Sequence, residues 1–147
     1  MPSVRGCNLP DDLLYDVDNH IWFTEMGDGT VKLGMTTVAT AMAGKLVAYT
    51  PKKVGRSVRA GKSCGTLESG KWVGPAKSAA GGEVVAVNDD LVADPSIAND
   101  DPYEKGWLAI LKPEDWDSVK SSLVPGSDVT AAYEAKMDSE GFGGCGE

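Results

Sequence analysis

The chain has 147 residues, 41% hydrophobic and 24% charged, which is enough for one domain with a real core. A formal net charge of −8 disfavours nucleic acid and anionic membrane as partners, since both attract clustered positive charge. No apolar run approaches the roughly 20 residues that span a bilayer, and acidic residues follow the N-terminal run Met1–Cys7 instead of an apolar signal core, so a cytoplasmic protein is expected.

Residues 1–18 read as an irregular acidic lead-in. His20–Glu25 is rich in β-branched and aromatic residues and predicts a strand. Gly27-Asp28-Gly29 marks a turn, and Thr30–Met35 alternates as the return strand. Thr36 or Thr37 is placed to cap a short helix from Val38 to Ala43, which Gly44 ends. Gly44-Lys45-Leu46-Val47-Ala48-Tyr49-Thr50 then resembles Gly82-Glu83-Val84-Val85-Ala86-Val87-Asn88, and each copy leads into a Pro-containing loop. Between the copies, Ser63–Leu67 and Trp72–Ser78 form the arms of a hairpin, with Pro75 assigning the second arm to an edge or a short strand. Gly106–Lys112 is the clearest late strand. A helix opens at Pro113-Glu114-Asp115 and runs to about Leu123, and a second covers Val129–Met137 after Ser127 or Asp128. Residues 138–147 are Gly-rich and predict a flexible tail behind a single domain at 1–137.

Lys71 is the residue with most to say about function. It lies in Glu68-Ser69-Gly70-Lys71-Trp72, at or near the hairpin tip, with Gly70 permitting a tight turn. A lysine there is either a solvated turn residue or the attachment point of a swinging cofactor. Acylation of its amine would remove the charge and create a long neutral tether. Glu68 and Ser69 are candidates for recognition by an attaching enzyme, against a reading as simple turn-edge polarity. Trp72 either shields an arm or packs.

Other candidates are weaker. Cys7, Cys64 and Cys145 include no CxxC, so neither a zinc knuckle nor a disulfide framework is implied, no metal site is expected and free thiols are the plain reading. Cys64 on its predicted strand and Cys145 in the tail are the candidate redox thiols, Cys145 by accessibility and Cys64 by sequence proximity to Lys71. His20 reads as structural. Lys52, Lys53, Arg56 and Arg59 form a basic cluster, either solvated or a docking patch for an acidic partner.

Several ordered motifs carry a resemblance. Glu68-Ser69-Gly70-Lys71-Trp72 is similar to the lipoylation motif Glu-Ser-Val-Lys-Ala of the H proteins of the glycine cleavage system. Gly82–Asn88 matches that family's Gly-Glu-Val-x-x-Val-Asn, Pro95–Asn99 approximates its Pro-x-Leu-Ile-Asn, and Pro102-Tyr103-Glu104-Lys105-Gly106-Trp107 and His20-Ile21-Trp22 complete the series. The resemblance runs from about Asp16 to Tyr133. It implies a mainly β, barrel-sandwich hybrid fold of the lipoyl and biotinyl carrier type, with short C-terminal helices. It implies lipoate held covalently on Lys71, and a carrier that is a substrate for enzymes instead of an enzyme with catalytic residues of its own.

Gly70, Trp72 and the basic Thr50-Pro51-Lys52-Lys53 depart from the family pattern. The run Glu-Ser-Gly-Lys-Trp-Val-Gly-Pro is more similar to the lipoate-binding proteins of bacterial sulfur oxidation. That branch implies a sulfur or redox shuttle, with a lipoate-attaching enzyme, a heterodisulfide-reductase-like complex and dihydrolipoamide dehydrogenase as partners. The alternatives are an aminomethyl carrier serving the glycine cleavage enzymes and, from another class, a non-carrier β scaffold.

Overall fold

The computed structural model describes residues 3–145. In chain order it has β1 (Ser3–Val4), β2 (Cys7–Asn8), β3 (Leu14–Asp16), β4 (Ile21–Glu25), β5 (Val31–Met35), α1 (Thr37–Ala43), β6 (Leu46–Pro51), β7 (Ser57–Val58) and β8 (Lys62–Ser69). There follow β9 (Val73–Ser78), β10 (Gly82–Val87), α2 (Asp89–Ala93), α3 (Ile97–Asp100), β11 (Trp107–Pro113), α4 (Trp116–Ser122), β12 (Val124–Pro125), a 3-10 turn (Gly126–Asp128) and α5 (Val129–Glu140).

An antiparallel seven-stranded sheet, ordered β12-β3-β4-β5-β11-β10-β7, packs against the three-stranded sheet β6-β8-β9. This is a mainly β, barrel-sandwich fold with short helices. Alternation along the strands supplies the core between the sheets. Phe23, Leu33, Leu46, Leu67, Val84 and Leu111 point inward and are buried. Their burial is the main driving force for closing the two sheets on each other. Pro75 sits on β9, whose only ladder among the described residues is with β8, so its missing N–H leaves no inner ladder bond unmade.

A second cluster forms where α5 lies across the N-terminal segment. Leu9, Tyr15, Trp22, Val38, Tyr133 and Met137 meet there, fully buried. The Trp22 indole N–H donates to the Pro102 carbonyl at 3.0 Å. Its ring lies where a side chain on Gly34 would be, since a Cβ at Gly34 would stand 2.6 Å from the ring. Gly34→Ala is therefore expected to cost about 1–3 kcal/mol, because the anchored indole cannot slide aside without losing its hydrogen bond. Urea unfolding measures this, and an unchanged midpoint would show the ring to be free to move.

Four expectations from the sequence are corrected here. The lead-in is not irregular: β1, β2 and β3 occupy it, because Val4, Cys7, Leu9 and Tyr15 supply buried apolar groups for the second cluster. The Pro-containing loop after the second repeat holds α2 and α3, which the Asn88 side chain opens by capping the Leu91 N–H. The third correction concerns the tail. Asp138, Ser139 and Glu140 complete α5, Gly141 ends it in a left-handed conformation with φ 66°, and the chain returns to the N-terminus. Arg5 donates to the Phe142 carbonyl at 3.1 Å and accepts at its own carbonyl from the Cys145 N–H at 3.0 Å. Gly146 and Glu147 lie outside the described residues.

The fourth correction follows from the third. Cys7 and Cys145, 138 residues apart, stand 5.0 Å apart at Cα and form a disulfide. They are not free thiols, and Cys145 is not a mobile redox thiol. Sequence spacing gave no sign of the pair, because α5 brings its ends together.

Candidate functional site

β8 and β9 are joined through Gly70, Lys71 and Trp72, with Gly70 and Lys71 at the tip of the turn. The Ser69 N–H donates to the Trp72 carbonyl at 2.7 Å, closing the turn. The Ser69 hydroxyl accepts the Lys71 N–H at 3.3 Å. Ser69 is itself buried, at 5% exposure, so it is committed to shaping the turn and is not open to being read by an enzyme. Gly70 has no left-handed backbone angle, and a Cβ there would meet nothing within 4 Å. The tight turn thus does not require glycine, and the valine found at that place in the family motif would fit.

Lys71 is exposed at the tip. Among the described residues its ammonium takes part in no ion pair. Its side chain runs toward the C-terminal end of α1, with Cε 3.3 Å and Nζ 4.0 Å from where a Cβ on Gly44 would stand. Gly44 caps that helix with φ 83°, a conformation that favours glycine. The orphan carbonyls of a helix C-terminus favour a cation, and acylation would remove that attraction.

Asn99 holds this corner in place. Its side-chain carbonyl accepts the Leu46 N–H and its amide donates to the Gly44 carbonyl, both at 2.9 Å. The sequence flagged Asn99 only as the end of a motif. Its role in clamping α1 to β6 beside Lys71 is visible only in three dimensions, since 53 residues separate it from Leu46. The Pro-Tyr-Glu-x-Gly-Trp motif is likewise structural. Pro102 receives the Trp22 indole, and Tyr103 donates its hydroxyl to the Asn8 carbonyl while accepting the Thr37 N–H.

A cavity of about 280 Å³ opens beside the hairpin, lined by Met35, Met42, Ala43, Leu67, Trp72 and His20 among others. Its lining is mostly apolar, and a flexible hydrocarbon arm rooted at Lys71 matches it in chemistry. Trp72 is 38% exposed, and its ring covers Gly74, where a Cβ would overlap it. Trp72 therefore forms a wall of this cavity.

His20 borders the cavity with φ 58°, a left-handed conformation uncommon for a residue with a side chain. Its ring stacks on Tyr133, with Nδ1 3.2 Å from the tyrosine hydroxyl and Nε2 3.0 Å from a Glu140 carboxylate oxygen. The carboxylate favours the imidazolium, but burial outweighs it and lowers the His20 pKa. The neutral ring then donates from Nε2 to Glu140 and accepts at Nδ1 from Tyr133. Because the folded value lies below the unfolded one, the unfolded chain binds the extra proton first as pH falls. The His20 contribution to stability is present above the unfolded value, near 6.5, and is lost as pH falls through the depressed folded value. Chemical unfolding at a series of pH values should show this loss in the parent chain. His20→Asn, which tolerates the same backbone, should flatten it, and equal slopes would remove His20 as the cause.

The remaining candidates are not brought to the site. Cys64 is 1% exposed in the inter-sheet core, and burial pushes its thiol up to about 12. It sits five residues before the Ser69 turn, roughly 17 Å along the strand at about 3.3 Å per residue, so it neither ionises readily nor stands beside Lys71. Lys52, Lys53, Arg56 and Arg59 are exposed, but Pro51 pairs with Gly65, which places that cluster toward the opposite end of the hairpin from Lys71. The basic loop therefore does not border the lysine. Among the described residues, no group of His, Cys, Asp and Glu is arranged to hold a metal ion. No helix of the described residues is long and apolar enough to cross a membrane.

A barrel-sandwich domain presenting one free lysine on a two-residue turn is the architecture of a covalent carrier module. The profile of the family described as Glycine cleavage H-protein matches residues 13–136. The chain is 47% identical over 145 residues to glycine cleavage system H protein 5 of Aquifex aeolicus, covering 96% of this chain and 97% of that one. It is 41% identical over 143 residues to H protein 2 of the same organism, covering 97% and 88%. The crystal structure of a glycine cleavage system H protein from Mycobacterium marinum superimposes with TM-score 0.74 at 34% identity, covering 85% of this chain and 98% of that one. The chain belongs to the glycine cleavage H-protein family, whose members are carriers of covalently attached lipoate and not enzymes.

Proposed function

We propose that Lys71 bears the lipoyl group and that the arm carries an aminomethyl group among the glycine cleavage enzymes. The observation that supports this best is the free, exposed lysine on a pinned turn beside an apolar cavity. The residues fit the group. The turn bonds of Ser69 fix the root of the arm, Asn99 fixes the helix corner beside it, and the cavity offers apolar shelter to its hydrocarbon. When bound, lipoate supplies a dithiolane that a thiolate or other nucleophile can open. Tethering raises its effective concentration at each active site in turn.

The cytoplasm is the proposed location, although a disulfide is uncommon in reducing compartments. The thiol state of Cys7 and Cys145 in freshly lysed cells is the direct check.

Reconstitution tests the proposed role. Lipoylated protein, glycine decarboxylase, aminomethyltransferase and dihydrolipoamide dehydrogenase should together release CO₂ from glycine, and omission of the carrier should stop it. A sulfur or redox shuttle serving a heterodisulfide-reductase-like complex is the second reading. It is favoured by the departures at Gly70 and Trp72, and several numbered H proteins in one organism are compatible with copies that serve other enzymes. Failure of the loaded protein in the glycine system, with turnover by that complex, would select it.

A further inference from the structure

The Cys7–Cys145 disulfide and Lys71 stand at the two ends of α1. Cys145 Sγ lies 3.7 Å from the carbonyl oxygen of Thr37, the first residue of that helix. Lys71 Cε lies at its far end, 3.3 Å from where a Cβ on Gly44 would stand. From Thr37 to Gly44 the helix covers about 10 Å, at about 1.5 Å per residue. An extended lipoyl group adds about 10 Å beyond Nζ at ordinary bond lengths. The cavity follows α1 along the way. Ala39, Met42 and Ala43 line it, and Met42 also packs against the cluster that Phe142 and Cys145 join. Cys7 is fully buried whereas Cys145 is only partly so, which leaves the bond open to a nucleophile on the Cys145 side.

We propose that the Cys7–Cys145 disulfide is a second redox site of this chain and accepts the electron pair of the dihydrolipoyl arm on its own Lys71. This rests on Lys71 being the lipoyl-lysine. One arm thiolate attacks Cys145 Sγ, the bond to Cys7 breaks, and Cys7 leaves as a thiolate. The second arm thiolate then attacks the arm sulfur of the mixed disulfide, the dithiolane closes, and Cys145 leaves. Two electrons pass from the arm to the protein, and the protons of the two arm thiols end on Cys7 and Cys145. Tethering makes the first attack intramolecular and raises the effective thiol concentration toward the millimolar range. The exchange is reversible by construction. Arg5 still holds the Phe142 carbonyl and the Asp138 carboxylate, so the two thiols stay together once the bond is open. In a reducing compartment, the location proposed above, disulfides are usually transient and catalytic or redox-sensing.

The test uses the full chain, oxidised and loaded with lipoate as confirmed by intact mass. It is mixed without oxygen with excess dihydrolipoamide dehydrogenase and NADH. Each reduction of the arm consumes one NADH, so the parent chain should consume two equivalents, one pair ending in the arm and one in the disulfide. Alkylation and peptide mapping should then find Cys7 and Cys145 labelled. Loaded Cys7→Ala/Cys145→Ala should consume one equivalent, and Lys71→Arg none. Free lipoamide added to Lys71→Arg at the concentration of the chain should expose the two cysteines about 100-fold more slowly than the arm does. A loaded parent chain that consumes one equivalent or none, with Cys7 and Cys145 unlabelled, overturns the proposal and leaves Lys71 as the lipoyl-lysine. Equally fast labelling in Lys71→Arg, with or without free lipoamide, also overturns it. A parent chain that gains no lipoyl mass sinks the Lys71 reading, and the second redox site with it.

Discussion

Lys71→Arg is expected to take up no lipoyl group under conditions in which the parent chain gains one. Arginine keeps the positive charge and much of the reach, so the turn and the attraction to the α1 C-terminus should survive. What it loses is a nucleophilic amine: the guanidinium stays protonated at any working pH and cannot be acylated by the same route. The side chain is exposed and makes no ion pair among the described residues, so the change should leave the unfolding midpoint within about 0.5 kcal/mol of the parent. Intact mass after co-expression with a lipoate-attaching system decides the matter. Equal modification of the variant would move the attachment point elsewhere, and peptide mapping would then locate it. Carrier-dependent glycine turnover should fall to background with Lys71→Arg, because in the proposed role every transfer passes through the one arm.

The second large effect concerns the Cys7–Cys145 disulfide. It ties residues 138 apart in sequence, so its removal frees the unfolded chain from a closed loop that includes nearly the whole domain. In the chain-entropy picture a loop of that size is worth up to about 5 kcal/mol, with about 2–5 kcal/mol as the usual measured cost of losing a native disulfide. For a domain of this size that corresponds to a fall in Tm of roughly 5–15 °C. Thermal unfolding with and without a phosphine reductant measures it, alongside Cys7→Ala/Cys145→Ala. Thiol titration of the denatured protein supplies the control, since one reactive thiol, from Cys64, is expected before reduction and three after it. A reduced protein with three thiols and an unmoved Tm would show that the contacts of Arg5, Phe142 and Asp138 hold the terminus unaided.

The comparison of sequence with structure is clearest around α1. Thr36 or Thr37, the apolar run and Gly44 announced the helix, and the structure places the cap at Thr36, because capping is a local matter settled within a few residues. The hairpin arms were legible for the same reason: Pro75 and the turn residues act on their own backbone. The motifs were legible as family marks but not as physics. Asn99, Tyr103 and Pro102 each act on a partner more than 50 residues away, and no local pattern encodes such a partner. Gly70 was over-read, since glycine at a turn suggests a left-handed angle that the turn does not use.

Function divides along the same line. By itself the sequence determined that Lys71 stands on a hairpin between two similar strands, and its ordered motifs placed the chain among lipoyl carriers. Local backbone chemistry and motif order survive in one dimension. Only the tertiary structure decided that Ser69 is occupied by the turn and that Cys64 is entombed. The same holds for Cys145, bound to Cys7, and for the basic loop, which lies toward the opposite end of the hairpin from the lysine. Each of these depends on which distant segments packing brings together, and burial and contact are properties of the closed sheets and of α5, not of the neighbours in the chain.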